Sequence, residues 1–590
     1  MFKYMIAKPE ENPDVLSPIN ADAPSQERPS LQPKSTMNLD STFYLSAIAA
    51  TVVVILYHRS RKLFTVDDIP GPSSPSFLTG SLGELLRAQA GEVDFKWQSQ
   101  YGNVLRFKGP FGENRLLISD PKAAHHVLRG YKWDRPKDMR LRSLLISGPG
   151  ITFVQGHDHK RQRKVMSPAF GAPEAKALVP IFASAAGALA TKWKDLLAMS
   201  RDETEVFNIP AWTSRATLDA IGHAGFDYDF GALENRDNRL ATVYSNLFAD
   251  MFAAPTNGML ISSSLSSSRF LPLKFLSWLM DHSSNERVGR GRDARKVAAE
   301  VARVLVAEKS EELMSGQREG NLSKDVMSLL VRSNMSGDER TKMSNEELLA
   351  QMQTVFLAGH ETTANSLSWT LLELSRHPEI QDRLRKEIHL KEQELLTGGR
   401  TGFTAEDFDS LPYLNAVLKE SLRYHPVGVY VEKVALADDC ISLSESIMTT
   451  SGKEISEIPV AKGQRITLSI AGYNRNTAVF GNDAHVFNPG RWLDAEDGSG
   501  SGSRKGTSVG VYANLLTFSG GIRSCIGWRF AVVELQTFLV ELVGNFEFSL
   551  TPECDKIRRE ACAVMLPTIE GELEKGVQCP LRVQCAKREV

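Results

Sequence analysis

The chain has 590 residues, of which 42% are hydrophobic and 24% charged, with a formal net charge of -2. That apolar content over that length can bury a sizeable core, and length alone allows several domains. A near-neutral balance gives no bulk attraction to nucleic acid, and no nucleic-acid motif is present, so that class is set aside.

Residues 1–40 are rich in Pro, Ser, Asn and acids without an apolar period, which predicts a disordered tail. Thr42-Phe-Tyr-Leu-Ser-Ala-Ile-Ala-Ala-Thr-Val-Val-Val-Ile-Leu-Tyr57 is uncharged and apolar over about 16 residues, slightly below the ~20 of a bilayer span. With its flanks it predicts a transmembrane anchor at 41–58. His58-Arg-Ser-Arg-Lys62 follows at once, and such a positive cluster stays cytosolic, so the remainder is expected to face the cytosol after a single pass. A cleaved signal peptide fits poorly, because the segment lacks a small-residue cleavage site; a buried core helix is the other reading. Residues 59–76 form a basic, proline-rich hinge, in which Ile69-Pro-Gly-Pro72-Ser-Ser-Pro75 restricts the backbone.

Short β-like runs follow at Val104-Leu-Arg-Phe and Arg115-Leu-Leu-Ile-Ser, with another at Gln464-Arg-Ile-Thr-Leu-Ser, whereas helical periodicity dominates from about Pro173 to Arg400. The basic run Lys160, Arg161, Arg163 and Lys164 reads as a solvated helix face, part of it suited to docking an acidic redox partner. Tyr244 to Met280 is apolar and Ser-rich. From about Glu346 to Ser375 a long apolar helical pattern contains Ala358-Gly-His-Glu-Thr-Thr363, whose polar residues on their own could be a satisfied core cluster. Glu420-Ser-Leu-Arg423 puts opposite charges on one helix face, which alone means little. Leu443 to Glu457 looks like a polar insertion, and the stretch from Ala495 to Ser508 is Gly/Ser-rich and flexible.

Six cysteines, at 440, 525, 554, 562, 579 and 585, are too few and too late for a secreted disulfide framework, and they lack paired zinc spacing. One of them stands apart. Phe518-Ser-Gly-Gly-Ile-Arg-Ser-Cys525-Ile-Gly527 isolates a thiol in a glycine-rich loop, beside Arg523 and just before the helical run that begins at Trp528. A helix N-terminus and a nearby cation favour the thiolate that metals bind. A buried structural cysteine is the alternative for the loop alone.

This loop resembles the haem-binding signature Phe-x-x-Gly-x-Arg-x-Cys-x-Gly of the cytochrome P-450 family at every fixed position. The other motifs stand upstream in that family's order, and the resemblance covers roughly Ile69 to Arg582. It implies a mainly α fold with small β-sheets (α+β), as one catalytic domain over 77–590 behind the transmembrane helix. It implies heme b with Cys525 as axial thiolate, which favours O–O cleavage. Gly359, beside Ala358 on the distal helix, is expected to leave room for dioxygen, and Glu361 and Thr362 to deliver protons. Phe518 is expected to pack beneath the ring next to Gly527. His159, Arg163, Lys433 and Arg523 are expected to hold the propionates, His159 standing where the family usually has Trp and Lys433 where it often has Arg. Glu420, Arg423 and Arg491, the last from Phe487-Asn-Pro-Gly-Arg491-Trp, are expected to form a buried structural network.

By the same resemblance the apolar Tyr244–Met280 region is a lid against the bilayer, the Val427–Val431 segment lines the pocket, and the substrate is a lipophilic small molecule. Electrons would come from NADPH through a separate flavoprotein reductase, with cytochrome b5 as a further partner, at the endoplasmic reticulum membrane. The implied activity is a monooxygenase of fungal type, in terpenoid or other secondary metabolism or in xenobiotic oxidation. A haem-thiolate isomerase or dehydratase acting on peroxides without a reductase is the rival.

Overall fold

The computed structural model describes residues 66–234, 238–267, 271–315, 325–335, 342–493 and 507–588. The expected tail, the anchor, the hinge up to residue 65 and most of the Gly/Ser-rich stretch lie outside them. Among the described residues no helix is long and apolar enough to cross a membrane.

Helices dominate, and small sheets sit at the flanks. Five helices carry the singled-out residues: α1 (Gly156–Met166), α2 (Ile209–Phe226), α3 (Asn345–Arg376), α4 (Pro412–Tyr424) and α5 (Trp528–Asn545). The start of α3 is set by a capping box. Ser344 Oγ accepts from the Glu347 amide at 3.1 Å, and the Glu347 carboxylate accepts from the Ser344 amide at 2.9 Å, satisfying two donors that a helix start leaves orphaned. Its end falls at Arg376, one residue before the His377-Pro378 pair that disfavours helical continuation. Between them α3 is buried on nearly every side from Ala350 to Ser375, polar side chains included, and it packs most extensively on α2.

The largest sheet has five strands, β1 (Val104–Lys108), β2 (Asn114–Ile118), β3 (Trp133–Asp134), β4 (Tyr430–Ala435) and β5 (Arg465–Ser469), in the order β1-β2-β5-β4-β3. β2 and β5 run parallel and the other pairs antiparallel. The three β-like runs read from the sequence are β1, β2 and β5. A second sheet joins Pro580–Cys585 to Thr204–Asn208 and Phe546–Leu550, tying the C-terminal strand to the entrance of α2 and the exit of α5.

Two expectations change. Leu443–Glu457, read as a polar insertion, carries regular structure: Asp439–Met448 and Glu454–Val460 pair into an antiparallel hairpin. The hinge is divided as well. From Val66 onward it is docked on the body, with Val66 and Ile69 buried, the Arg106 amide donating to Pro70 O at 2.9 Å, and Asp68 accepting from Thr450 and Ser451.

Candidate functional site

The cysteine loop is held from three sides. A Cβ on Gly520 would meet Val509 O at 2.2 Å, and one on Gly521, whose φ is +65°, would meet Leu128 O at 2.2 Å. These glycines therefore let the loop press against neighbouring backbone, rather than aim amides at sulfur. The amide that does reach the Cys525 sulfur is that of Gly527, the residue before α5. Arg163 of α1 completes the clamp, donating to Ser524 O at 2.8 Å and to Ser524 Oγ at 3.2 Å. It was expected to reach outward to a propionate; here it positions the residue next to the cysteine.

Cys525 has accessible surface, yet surrounding protein raises its thiol pKa against the smaller opposite pulls of the Gly527 amide and Arg163. That accessible surface therefore belongs to an enclosed hollow. The expected lowered pKa is not met by the loop itself. The Cys525 thiol loses its proton on binding a metal, as a coordinating thiol does.

The distal side is marked on α3. From Ala350 to Ser375 every residue is buried except Ala358, Gly359 and Thr362, which lie together on one helix face. A strip of accessible surface within a buried helix borders a cavity. Ala358 gives it most of its openness, whereas Gly359 serves packing: a Cβ there would meet Ile221 Cγ1 of α2 at 2.7 Å. Ile221 packs where a Gly359 side chain would stand. Thr362 Oγ1 donates to Ala358 O at 2.8 Å, and Glu361 lies alongside, buried, its carboxyl pushed up to about 7 by desolvation. Asn365 Nδ2 donates to Glu361 Oε1 at 3.2 Å. One residue on, Thr363 Oγ1 donates to Glu534 of α5 at 2.9 Å, fastening the distal helix to the helix that follows the cysteine loop.

Cations collect beside the loop. Antiparallel pairing of β3 with β4 sets Asp134 opposite Val434, and so brings Arg135 and Lys433 into one neighbourhood. Lys433 is 1% exposed, its Nζ has no hydrogen-bond partner, and its pKa is pushed down to about 8 by burial and by Arg135. Burial and Arg523 hold Arg135 down at about 10, and burial with Arg523 and Arg163 hold His159 down at about 4, so His159 is a neutral imidazole. Arg523 bonds Asp134 at 3.0 Å and the carbonyls of Ile151 and Val154, and Arg140 donates to Phe153 O. Arg135, Arg140, Lys433 and Arg523 thus lie around one carboxylate, Asp134, with the neutral His159 beside them, an arrangement that favours added negative charge. Arg135 and Arg140 were not singled out in the sequence. The signal available was the basic spacing of Arg135-Pro-Lys-Asp-Met-Arg140 after a two-residue strand.

Glu420, Arg423 and Arg491 are brought together by hydrogen bonds, along with Trp492 and the Asn488 amide. Glu420, Arg423 and Arg491 are buried; the Glu420 carboxylate accepts from Arg423 Nε and Nη2 at 2.8 and 2.7 Å, Arg491 Nε at 3.1 Å, Trp492 Nε1 at 2.9 Å and the Asn488 amide at 2.7 Å. Phe518 packs edge-on to Tyr512 at 6.0 Å, and its carbonyl accepts from the Cys525 amide at 2.9 Å.

Among the described residues no group of three or more His, Cys, Asp or Glu could hold a metal ion by itself, so iron at Cys525 must bring its other ligands, as a porphyrin does. The residues present fit a haem: Cys525 for the metal, and an orphaned buried ammonium within a cationic cluster for two carboxylates.

The comparisons agree with that fit. The family model described as Cytochrome P450 matches residues 70–574. The chain is similar to Cytochrome P450 monooxygenase 205 of Postia placenta, 32% identical over 548 residues that cover 91% of this chain and 96% of that protein. It is likewise similar to Cytochrome P450 monooxygenase claP of Ampulloclitocybe clavipes, 32% identical over 525 residues that cover 87% of this chain and 92% of that one.

Proposed function

The chain belongs to the cytochrome P450 family and is a monooxygenase of fungal type, and from that premise we propose a membrane-anchored enzyme that hydroxylates or otherwise oxidises a lipophilic organic molecule. Electrons come from NADPH through a separate flavoprotein reductase, cytochrome b5 being a second donor. The substrate belongs to secondary metabolism, such as a terpenoid, or to foreign aromatic compounds. The observation that carries the reading is the accessible strip of α3 at Ala358, Gly359 and Thr362 with the buried Glu361 alongside it, together with a Cys525 that keeps accessible surface.

When bound at Cys525, haem supplies the activation of dioxygen. The chain's own residues do the rest. Arg135, Lys433 and Arg523 would hold the group through its carboxylates, and Arg163 fixes Ser524 so that the neighbouring sulfur keeps its place. Glu361, its carboxyl pushed up to about 7 by burial, gives a proton, and the Thr362 hydroxyl passes it on.

Anchoring is supported by the apolar stretch 42–57 and the basic cluster after it, since such a cluster tends to stay on the cytosolic side, and on this reading the catalytic body faces the cytosol at the endoplasmic reticulum membrane. Helix Leu273–Asp281 supports membrane contact too, since Phe275, Trp278 and Leu279 stand 48%, 54% and 51% exposed.

Membranes holding the full chain and a reductase, incubated with NADPH and a panel of terpenoids, fatty acids and polycyclic aromatics, test the reading. Reductase-dependent oxygenated product is expected. Product formed only from a hydroperoxide would assign the peroxide-rearranging reading instead. Cys525→Ala should abolish the thiolate band in the reduced carbon-monoxide spectrum, whereas Thr362→Ala keeps the band and diverts electrons to peroxide. Unchanged coupling in Thr362→Ala removes that hydroxyl from proton delivery.

A further inference from the structure

His360 stands between Gly359 and Glu361, fully inside the protein at 1% exposure. Its ring is oriented by two contacts. Nδ1 lies 2.6 Å from Phe356 O, one helical turn back, and the ring stacks on Tyr244, centroids 5.4 Å apart and planes 25° from parallel. A carbonyl can only accept, so Nδ1 must carry the hydrogen. A neutral imidazole has one N–H; Nε2 is therefore left as a lone pair. Nε2 lies 3.6 Å from Glu361 Oε2, just beyond hydrogen-bond length.

Two neighbours thus act on one carboxyl in opposite senses. The Asn365 amide donates to Oε1 and favours the charged form. The His360 lone pair is a place for a proton on Oε2 to point, and it repels a carboxylate. Burial keeps the imidazole itself neutral, near 4, so the ring accepts without taking the proton for itself. From the neighbouring elements the pair meets the Tyr244 ring, whose hydroxyl burial keeps un-ionised, and the Thr217 hydroxyl, which donates to His360 O at 3.1 Å. Neither is charged at neutral pH.

We propose that His360 is a positioning residue for proton delivery: with Nδ1–H tied to the Phe356 carbonyl, its ring offers Nε2 to the Glu361 carboxyl and keeps that carboxyl protonated until the reaction draws on it. The stack on Tyr244 connects this setting to helix Arg239–Tyr244, so a movement of that helix would free the ring and release its hold on Glu361. The proposal rests on the reading of Glu361 as the proton donor.

Two measurements on the full-length holoenzyme test it. Selective 15N-histidine labelling, read by NMR in the diamagnetic reduced carbon-monoxide form, reports the His360 tautomer, assigned by the resonance that His360→Phe removes. The Nδ1–H form, neutral from pH 6 to 8, is expected. An Nε2–H tautomer, or a protonated ring at pH 6–7, overturns the proposal whatever the turnover data give. The second measurement is product formed per NADPH across pH. Loss of the lone pair in His360→Phe, which keeps the stack on Tyr244, should move the alkaline fall in coupling down by about one pH unit. His360→Gln, whose side-chain carbonyl can accept in its place, should return it toward the parent value. An unmoved alkaline limb in a His360→Phe enzyme with a normal carbon-monoxide spectrum overturns the proposal. Absence of NADPH-dependent product in the parent enzyme counts against the monooxygenase reading, and the tautomer measurement still decides the role of His360.

Discussion

Lys433 shows what a site prepared for an anion does to a single residue. Its ammonium is buried beside Arg135 and Arg523, with Asp134 as the nearby carboxylate and no hydrogen bond to its Nζ. Without a bound carboxylate that charge destabilises the fold; with one it becomes a charge-assisted hydrogen bond. Lys433→Met should therefore act in opposite directions on the two forms. The haem-free chain should gain about 1–3 kcal/mol in denaturant unfolding, while haem release, followed by transfer to an acceptor protein, should quicken about tenfold or more. The pH dependence has a definite sign. Lys433 titrates near 8 in the fold against 10.5 ordinarily, so between those values the unfolded chain binds more protons and haem-free stability rises with pH. Lys433→Met should flatten that rise. A variant that releases haem at the parent rate would remove Lys433 from the propionate site. Cys525, Glu361, Thr362 and Lys433 were all legible in the sequence because each lies in or beside a contiguous motif. Arg135 and Arg140 were not, because pairing of β3 with β4 brings together strands some 300 residues apart, and a lone arginine carries no mark of that.

At the level of elements, the distal helix was legible to within a residue at either end from its apolar periodicity, and the Ser344 capping box fixes its start in the structure. The purpose of its glycine was not. Gly359 reads as space for a ligand from its neighbours in sequence, whereas the closeness of α2 decides it, and only the packed structure supplies Ile221. Gly359→Ala should therefore destabilise the protein by about 1–3 kcal/mol, the cost of overpacking, and lower the thermal midpoint while the carbon-monoxide spectrum keeps its thiolate band. Trimming the obstacle with Ile221→Ala in the same chain should recover part of that loss, so that the double variant is more stable than the two single effects summed. Strict additivity would place the glycine's role elsewhere, in the hollow. The same reasoning separates α4. Its Glu420–Arg423 pair is one of many such pairs along the chain, and what distinguishes it is the total burial that five donors to one carboxylate make tolerable.

For the whole molecule the question is where the folded body begins. The sequence placed its start at residue 77, after a hinge, because proline-rich segments read as spacers. In the structure the segment from Val66 to Pro72 is part of the body. Val66 and Ile69 are 2% and 3% exposed, Arg106 donates to the carbonyls of Ile69 and Pro70, and Asp68 ties the strap to the hairpin turn at Thr450 and Ser451. Prolines here shape a chain that lies against β1, with fixed φ reducing what ordering it costs. Two truncations distinguish the readings. A chain starting at residue 64 keeps every contact named above and should unfold at the parent temperature, with its carbon-monoxide spectrum intact. A chain starting at residue 73 loses two fully buried aliphatic side chains, at about 1.5–3 kcal/mol each, along with the hydrogen bonds to Arg106 and the hairpin. It should melt several degrees lower and free the first sheet at its β1 edge, seen as faster amide exchange in Val104–Lys108. Equal melting of the two would return the strap to the role of a spacer. Fractionation of the same pair tests the anchor separately: if residues 42–57 hold the enzyme to the bilayer, both truncations leave the membrane fraction or become extractable by salt, because the remaining contact through Phe275, Trp278 and Leu279 is too small to be permanent.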